Sequence, residues 1–410
     1  MEDKEDPITD HILTAREGEV ISLPKSIMKK HGIALGEKLE VYEIGGDLLL
    51  KRTHQDDIRR LYVEPTTECN LGCRICVRKS WEDPVGRMSL EDYRRLMKMA
   101  SALPNLDRVI LGGFGEPLCH PEICEMIRVT RKTLGEDVGI ELTTNASILD
   151  EETSRRLVSS GLDRLIVSLD SVSSALYEEI RSGADFSRVT ANILTLGKVK
   201  DSLGVSTPSL AIEFVSMRRN IRDLPELPRL ASQMGASAIL VTNLLPHTTE
   251  MRDEILYSDS SQNDLLNDLR LHSVREAIKH SVMLTMPETA LGTQRECRFI
   301  EDDSCVVSWD GYVSPCYRLM HTYPCYVLGR IKRVVKAQFG NVTKESLSEI
   351  WNSGEYVRFR HRVKMFRFPS CPDCKFRDYC WWTETSEHDC WGASPSCADC
   401  LWSRGILLCP

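Results

Sequence analysis

Short apolar runs alternate with amphipathic stretches through the middle of the chain. RLYVEPT, RVILG, GIELTT, RLIVSLD, LAIEFV, AILVTN and VMLTM lie between residues 60 and 286, and each is rich in β-branched, aromatic or aliphatic side chains, as a buried strand requires. Between them, stretches such as SLEDYRRLMKMA and EETSRRLVSSG repeat apolar positions every third or fourth residue, which places them on one face of a helix. A strand-helix rhythm sustained this long predicts an α/β parallel sheet or barrel over residues 55–290, with functional groups on the loops leaving the strands' C-terminal ends.

The pattern changes on both sides of that rhythm. HILTAREGEVISL turns at Gly18, PKSIMKKHG has Pro24 near a helix start and Gly32 as its stop, and EKLEVYEIGGDLLLKR is a predicted hairpin turned at Gly45 and Gly46. A segment of about forty residues buries too little apolar surface to be secure alone, so residues 1–54 are expected to pair with a second copy or with the rest of the chain. After residue 290 the rhythm stops, eleven of the sixteen cysteines follow, and four of the seven tryptophans fall in the last thirty residues. Such a composition describes small loops organised by metal. The predicted division is therefore 1–54, 55–290 and 291–410, since 410 residues are too many for one core.

Composition matters chiefly for the cysteines. A hydrophobic fraction of 42% and a charged fraction of 27% describe an ordinary folded chain. No run approaches the length of about eighteen apolar residues that a membrane span needs, and MEDKEDPITD is acidic where a secretory signal would be basic. A cytoplasmic protein without membrane contact is expected, and in that reducing compartment clustered cysteines point to metal rather than to disulfides. A net charge of -8 gives no general attraction to nucleic acid.

Cys69, Cys73 and Cys76 in TTECNLGCRIC follow the first strand of the rhythm directly. Three thiolates so placed can hold three corners of a four-iron four-sulfur cluster and leave one iron open. From spacing alone the alternative is zinc, with His120 or Cys119 as a fourth ligand. In GGFGEP, Gly113 and Gly115 let the backbone approach a bound group, and Glu116 can accept hydrogen bonds from an ammonium. Thr144 and Asn145 in TTNA, and Ser168 and Asp170 in SLD, close two further strands with groups that can bind a ribose or carboxylate, or else cap helices. Arg181 in EEIRSG can pair with a carboxylate or form a surface ion pair. Cys119 and Cys124 read as packing residues.

Cys69-x3-Cys73-x-Ile-Cys76 resembles the signature of the radical S-adenosylmethionine (SAM) enzymes, and the match continues in order through the strand ends. The resemblance implies a partial (β/α)6 TIM-like barrel in which SAM chelates the open iron. One electron from the cluster then cleaves the sulfonium to a 5′-deoxyadenosyl radical that takes hydrogen from substrate. It implies Gly113, Gly115 and Glu116 near the methionine amino group, although Phe114 separates the glycines. It implies Thr144, Asn145, Ser168 and Asp170 around the nucleoside, Arg181 on the methionine carboxylate, and a low-potential electron donor such as ferredoxin or flavodoxin.

Cys297-x13-Gly311-x4-Cys316 and Cys371-x2-Cys374-x5-Cys380 resemble the SPASM extension of peptide-modifying radical enzymes. That resemblance implies two auxiliary four-iron clusters, three clusters in all. The implied ligands are Cys297, Cys305, Cys316 and Cys390 for the first and Cys371, Cys374, Cys380 and Cys400 for the second. Cys397 and Cys409 compete, because nine residues separate Cys380 from the next cysteine where the family has three. Zinc in the Cys371 group is the alternative from spacing. Tyr317 stands where formylglycine-forming members carry an aspartate base. A phenol can donate a proton or hydrogen atom but is a poor base near neutral pH, so Tyr317 is a catalytic candidate of another kind and formylglycine formation ranks low.

Gly18, Ile21, Leu23, Pro24, Gly32, Gly36 and Glu37 resemble the AbrB/MazE-like swapped-hairpin domain, which often binds DNA as a dimer. Residues 1–60 carry ten Lys or Arg against thirteen Asp or Glu, which favours a homodimer or partner contact over DNA. The three-part layout resembles the maturase group associated with tungsten-cofactor oxidoreductases. That implies action on the oxidoreductase, on a small companion peptide, or on the pterin cofactor. A ribosomal-peptide maturase forming thioether or carbon-carbon links stays open, as does a DNA-binding redox sensor, which would need no polar groups at successive strand ends.

Overall fold

The computed structural model describes residues 23–34, 39–44, 46–52, 57–257, 263–292 and 295–409, and the chain divides into compact units 1–55 and 56–410. In the first unit, helix α1 (Lys25–Lys30) begins after Pro24 and is followed by Gly32 at φ 62°. Strands β1 (Leu39–Ile44) and β2 (Asp47–Arg52) form an antiparallel hairpin that turns through Gly46 at φ 88°, a conformation that suits glycine. Val41 pairs with Leu50 and Glu43 with Leu48, and Val41, Leu48 and Leu50 are exposed. Gly18, Ile21, Gly36, Glu37 and Gly45 lie outside the described residues.

The second unit is built on strands and helices in alternation: β3 (Arg60–Val63), α2 (Leu90–Ala100), β4 (Arg108–Leu111), α3 (Ile123–Leu134), β5 (Gly139–Thr144), α4 (Glu151–Val158), β6 (Arg164–Ser168), α5 (Ser174–Ile180), α6 (Phe186–Leu203), β7 (Ser209–Ser216), α7 (Leu227–Gln233), β8 (Ala236–Asn243), α8 (Asn263–Lys279) and β9 (Met283–Thr285). All seven apolar runs of the sequence are strands here. Three of the helices, α2, α4 and α6, start where a side chain satisfies a first free N–H group: Ser89 accepts from Asp92 N, Asp150 from Thr153 N and Asp185 from Arg188 N. The strands pair in parallel in the order in which they occur. Alternate residues face opposite ways, so Leu61, Val63, Val109 and Leu111 join the large core while Tyr62 and Ile110 point to the other face, against Phe299, Val306, Tyr317 and Met320.

The sheet continues past residue 290. After α9 (Arg298–Glu301), strand β10 (Ser304–Val307) lies parallel to β3, with Ser304 opposite Arg60, and β11 (Val313–Ser314) closes that edge antiparallel. The rest of the tail is a hairpin of β12 (Tyr323–Val327) and β13 (Arg330–Val334), helices α10 (Leu347–Trp351) and α11 (Gly354–Lys364), and short turns. Buried His321 ties this tail to the sheet. Its Nε2–H donates to Glu64 Oε2 at 2.8 Å and its Nδ1–H to Asp83 Oδ2 at 3.0 Å, while Lys336 Nζ donates to Asp83 Oδ1 at 3.0 Å. Among the described residues no helix is long and apolar enough to cross a membrane.

Candidate active site

The three-cysteine loop leaves β3 and is held by backbone bonds to the end of α5 and the turn that follows it: Gly72 N donates to Ser182 O at 2.9 Å and Arg74 N to Ile180 O at 2.8 Å. Cys69, Cys73 and Cys76 thereby line one wall of a cavity of about 320 Å³. Leu71 N lies 3.5 Å and Asn145 Nδ2 3.9 Å from Cys69 Sγ, two donors turned toward the sulfur. Burial pushes the Cys69 thiol up to about 11 and raises Cys73 as well, so metal binding here would release protons.

Among the described residues no three Cys, His, Asp or Glu side chains converge as they would on a single ion. Three thiols on a shared cavity wall suit a multi-iron cluster with an open corner better than one tetrahedral ion. His120 does not serve as a zinc donor: its Nε2 pairs with Met88 O at 2.9 Å and its Nδ1 accepts from Glu122 N at 3.1 Å.

Gly113, Gly115, Glu116, Thr144, Asn145, Ser168 and Arg181 line the same cavity. The two glycines have a packing reason of their own. A Cβ on Gly115 would meet Thr66 O at 2.1 Å, and one on Gly113, at φ 152°, would meet the Glu64 side chain at 2.7 Å. Buried Glu116 accepts from Thr144 Oγ1 at 2.7 Å, Asn145 N at 2.6 Å and Leu118 N at 3.0 Å. Burial raises its pKa and these bonds oppose the rise. Thr144 therefore orients Glu116, and Asn145 reaches Asn70 Oδ1 at 3.1 Å. Asp170 is set back from the cavity, where it accepts from Arg181 Nε at 2.7 Å and Val215 N at 2.8 Å, and so aims the guanidinium.

Two further parts of the wall were not anticipated. Glu213, inside β7, faces the cavity with Ser168 Oγ at 3.5 Å as its side-chain partner, and burial pushes its carboxyl up to about 7. An acid within a buried apolar strand was the available signal. The tail supplies Tyr323, Trp402, Leu407 and Leu408, held by Leu408 N to Thr242 Oγ1 at 2.9 Å and Asn243 Nδ2 to Ile406 O at 2.9 Å. Tyr317 lies outside this lining, buried against Tyr62 and Phe299. A second cavity of about 260 Å³ shares Ile75 and Leu244 with the first and includes Met217, Met251 and His247, whose two buried ring nitrogens have no side-chain hydrogen-bond partner.

The tail thiols are grouped differently from the expectation. Cys297, Cys316, Cys397 and Cys400 line one small closed cavity walled by Phe299, Ile300, Phe359 and Val363. Cys371, Cys374 and Cys380 follow one another through short turns, in which Cys374 N donates to Cys371 O, Arg377 N to Cys374 O and Cys380 N to Arg377 O, and the thiol of Cys390 is raised by burial and by nearby Asp389, Cys380 and Cys374. Cys390 and Cys400 have thus exchanged places relative to the expected sets, and Cys397 stands where Cys305 was expected. The pairing of β10 with β3 draws Cys305 into the sheet, fully buried beside Tyr356 and Arg360. Ser396 N donates to Ser386 O at 2.8 Å, folding the loop that carries Cys390 back on itself, and Glu296 N donates to Ser403 O at 2.7 Å, which brings Cys397 and Cys400 beside Cys297. Cys409 Sγ accepts from Trp402 Nε1 at 3.1 Å.

Comparison with known proteins fits this layout. The radical SAM superfamily matches residues 63–210 and the SPASM iron-sulfur cluster-binding domain matches residues 297–375. Over 355 residues the chain is 38% identical to the tungsten-containing aldehyde ferredoxin oxidoreductase cofactor-modifying protein of Pyrococcus furiosus, covering 86% of this chain and 97% of that protein. The chain belongs to the radical SAM superfamily. As a radical SAM enzyme with a SPASM domain it uses S-adenosylmethionine and iron-sulfur clusters. Its fold is shared with Streptococcus suis SuiB bound to precursor peptide SuiA, with a TM-score of 0.57 and 16% identity over 92% of this chain and 79% of that one. It is shared too with anSMEcpe bound to AdoMet and the Cp18Cys peptide, at 0.54 and 19% over 79% and 88%.

Proposed function

We propose that this radical SAM enzyme is a maturase that cross-links or oxidises a polypeptide, either a tungsten-cofactor oxidoreductase or a small companion peptide. The observation that carries the reading is the single cavity bounded on one side by Cys69, Cys73, Cys76 and Arg181 and on the other by tail residues Trp402, Leu407 and Leu408. When bound, a four-iron cluster and SAM would supply a 5′-deoxyadenosyl radical there. Cys69, Cys73 and Cys76 hold the cluster, Glu116 accepts from the cosubstrate ammonium, and Arg181, aimed by Asp170, pairs with its carboxylate. Gly113, Gly115, Asn145 and Ser168 shape the remainder.

The apolar tail wall excludes water from the radical, and the adjoining cavity with Met217, Met251 and buried His247 offers room and a hydrogen-bonding group to an extended chain. The same fold holds a precursor peptide in SuiB, which supports a peptide substrate. A second reading, modification of the pterin cofactor, is favoured by the likeness to the cofactor-modifying protein of Pyrococcus furiosus. Intact-mass measurement of the oxidoreductase and companion peptides expressed with and without the enzyme decides between them. A loss of hydrogens localised to one residue pair is expected, and unchanged polypeptides with turnover of a pterin precursor would defeat the first reading.

The reading includes three clusters, supplied with electrons by a ferredoxin or flavodoxin, and a division at 1–54, 55–290 and 291–410. The head is an AbrB-like swapped hairpin that makes a homodimer contact, which the exposed Val41, Leu48 and Leu50 support. Sedimentation of chains with and without residues 1–54 tests this; equal masses would remove the dimer.

A further inference from the structure

Eight of the eleven tail cysteines fall into two quartets, and the quartets are not those that spacing suggests. We propose that Cys297, Cys316, Cys397 and Cys400 ligate one auxiliary cluster and Cys371, Cys374, Cys380 and Cys390 the other, leaving Cys305, Cys325 and Cys409 without iron. The inference rests on the reading that the tail holds two clusters.

Geometry carries the first quartet. Its four thiols share one closed cavity, contributed by the start of α9, the turn after β11 and the Cys397–Cys400 turn, whose Cys400 N donates to Cys397 O at 3.1 Å. Buried Arg318 stands beside it, donating to Ser396 O at 3.1 Å and Asp399 Oδ1 at 3.0 Å. Four thiolates on a cubic cluster leave net negative charge in an apolar site, and a fixed guanidinium compensates part of it. The second quartet is held by successive short turns, in which Cys374 N donates to Cys371 O at 3.2 Å and Cys380 N to Arg377 O at 3.2 Å, with Arg330 Nη2 donating to Cys380 O at 3.0 Å. Cys374 and Cys390 are exposed there.

Cys305 has no place in either quartet. Its position is fixed opposite Leu61 in the sheet, and moving its thiol toward Cys297 would break the β10–β3 ladder. Cys409 is engaged by Trp402 at the wall of the main cavity.

The two quartets differ in solvent access, so the clusters would differ in their loss to a chelator. Iron and sulfide should be counted in the anaerobically reconstituted full chain, with circular dichroism confirming the fold of each variant. About twelve irons are expected in the parent, four per cluster. Cys297→Ala/Cys400→Ala and Cys371→Ala/Cys390→Ala should each keep about eight, and Cys305→Ala about twelve. Of the two auxiliary clusters in the parent, a chelator should first empty the one that Cys371→Ala/Cys390→Ala lacks. About four irons in either double variant, or about eight in Cys305→Ala, would overturn the assignment while leaving the auxiliary clusters in place. A parent with about four irons would remove the clusters themselves and the assignment with them. If the buried double variant does not fold, the exposed pair and Cys305→Ala decide alone.

Discussion

Replacing His321 by Gln should cost stability in a way that depends on pH, and the size can be worked from its surroundings. Burial opposes the charged ring, but hydrogen bonds with Asp83 and Glu64 overcome that penalty and carry its pKa from 6.5 to about 9. A pKa raised on folding contributes stability that is fully present below about 6.5 and is lost as pH rises through about 9. At about 1.36 kcal/mol per pH unit the contribution is about 3 kcal/mol. The variant leaves buried Glu64 without its cation, while Asp83 keeps Lys336, and breaking a buried pair costs about 3 to 5 kcal/mol. Urea midpoints of parent and His321→Gln, matched in iron content, should therefore differ widely at pH 6 and converge by about 3 kcal/mol at pH 10. Comparing the two proteins cancels the titration of groups that do not touch His321. A gap that stays constant from pH 6 to 10 would show that His321 is not charged in the folded protein.

The other predictions concern the cavity. Glu116→Ala leaves the Thr144 hydroxyl and Asn145 N–H buried without an acceptor, at about 1 to 3 kcal/mol each, so thermal unfolding should move down well beyond any loss of cosubstrate affinity; an unchanged midpoint would refute this. Gly115→Ala sets a Cβ 2.1 Å from a backbone oxygen of Thr66 and should displace the loop bearing Cys69, read as loss of the first cluster's electron paramagnetic signal on reduction. Burial raises the Glu213 carboxyl to about 7, so the folded state holds this proton where the unfolded chain releases it, and wild-type stability falls as pH rises from about 4.5 to 7. Glu213→Gln should lack that fall and exceed the parent by up to about 3 kcal/mol at pH 8; a lower urea midpoint at that pH would contradict it.

The barrel rhythm was legible because the strands from β3 to β8 are short, apolar and largely buried, and several helices carry a cap and an apolar stripe. The strand-end groups were legible as a set, since Glu116, Asn145, Ser168 and Arg181 all reach one cavity. Two of their roles were not: Thr144 and Asp170, expected around the nucleoside, orient neighbours, a distinction that depends on side-chain direction rather than residue type. The tail resisted reading for a different reason. Counting cysteines cannot tell Cys305, packed inside a strand, from Cys397, which a turn brings beside Cys297. Nothing in local periodicity announces that β10 returns to pair with β3, or that Tyr317 packs behind the wall. Glu213 looked like one acid among strand residues until the sheet placed it at the cavity.

The pairing of β10 with β3 also sets the timing of folding. Ser304 lies opposite Arg60, so about 240 residues separate partners in the ladder, and at about 5–20 residues per second the ribosome takes about 10–50 seconds to deliver the second. For that interval β3 has one bare edge, a template for pairing with other chains, and the loop of Cys69, Cys73 and Cys76 hangs from it. Contacts of such long sequence separation form slowly because their closure entropy precedes any gain. A fragment cut at residue 290 would keep that edge permanently, so the excised barrel should aggregate rather than serve as a minimal enzyme.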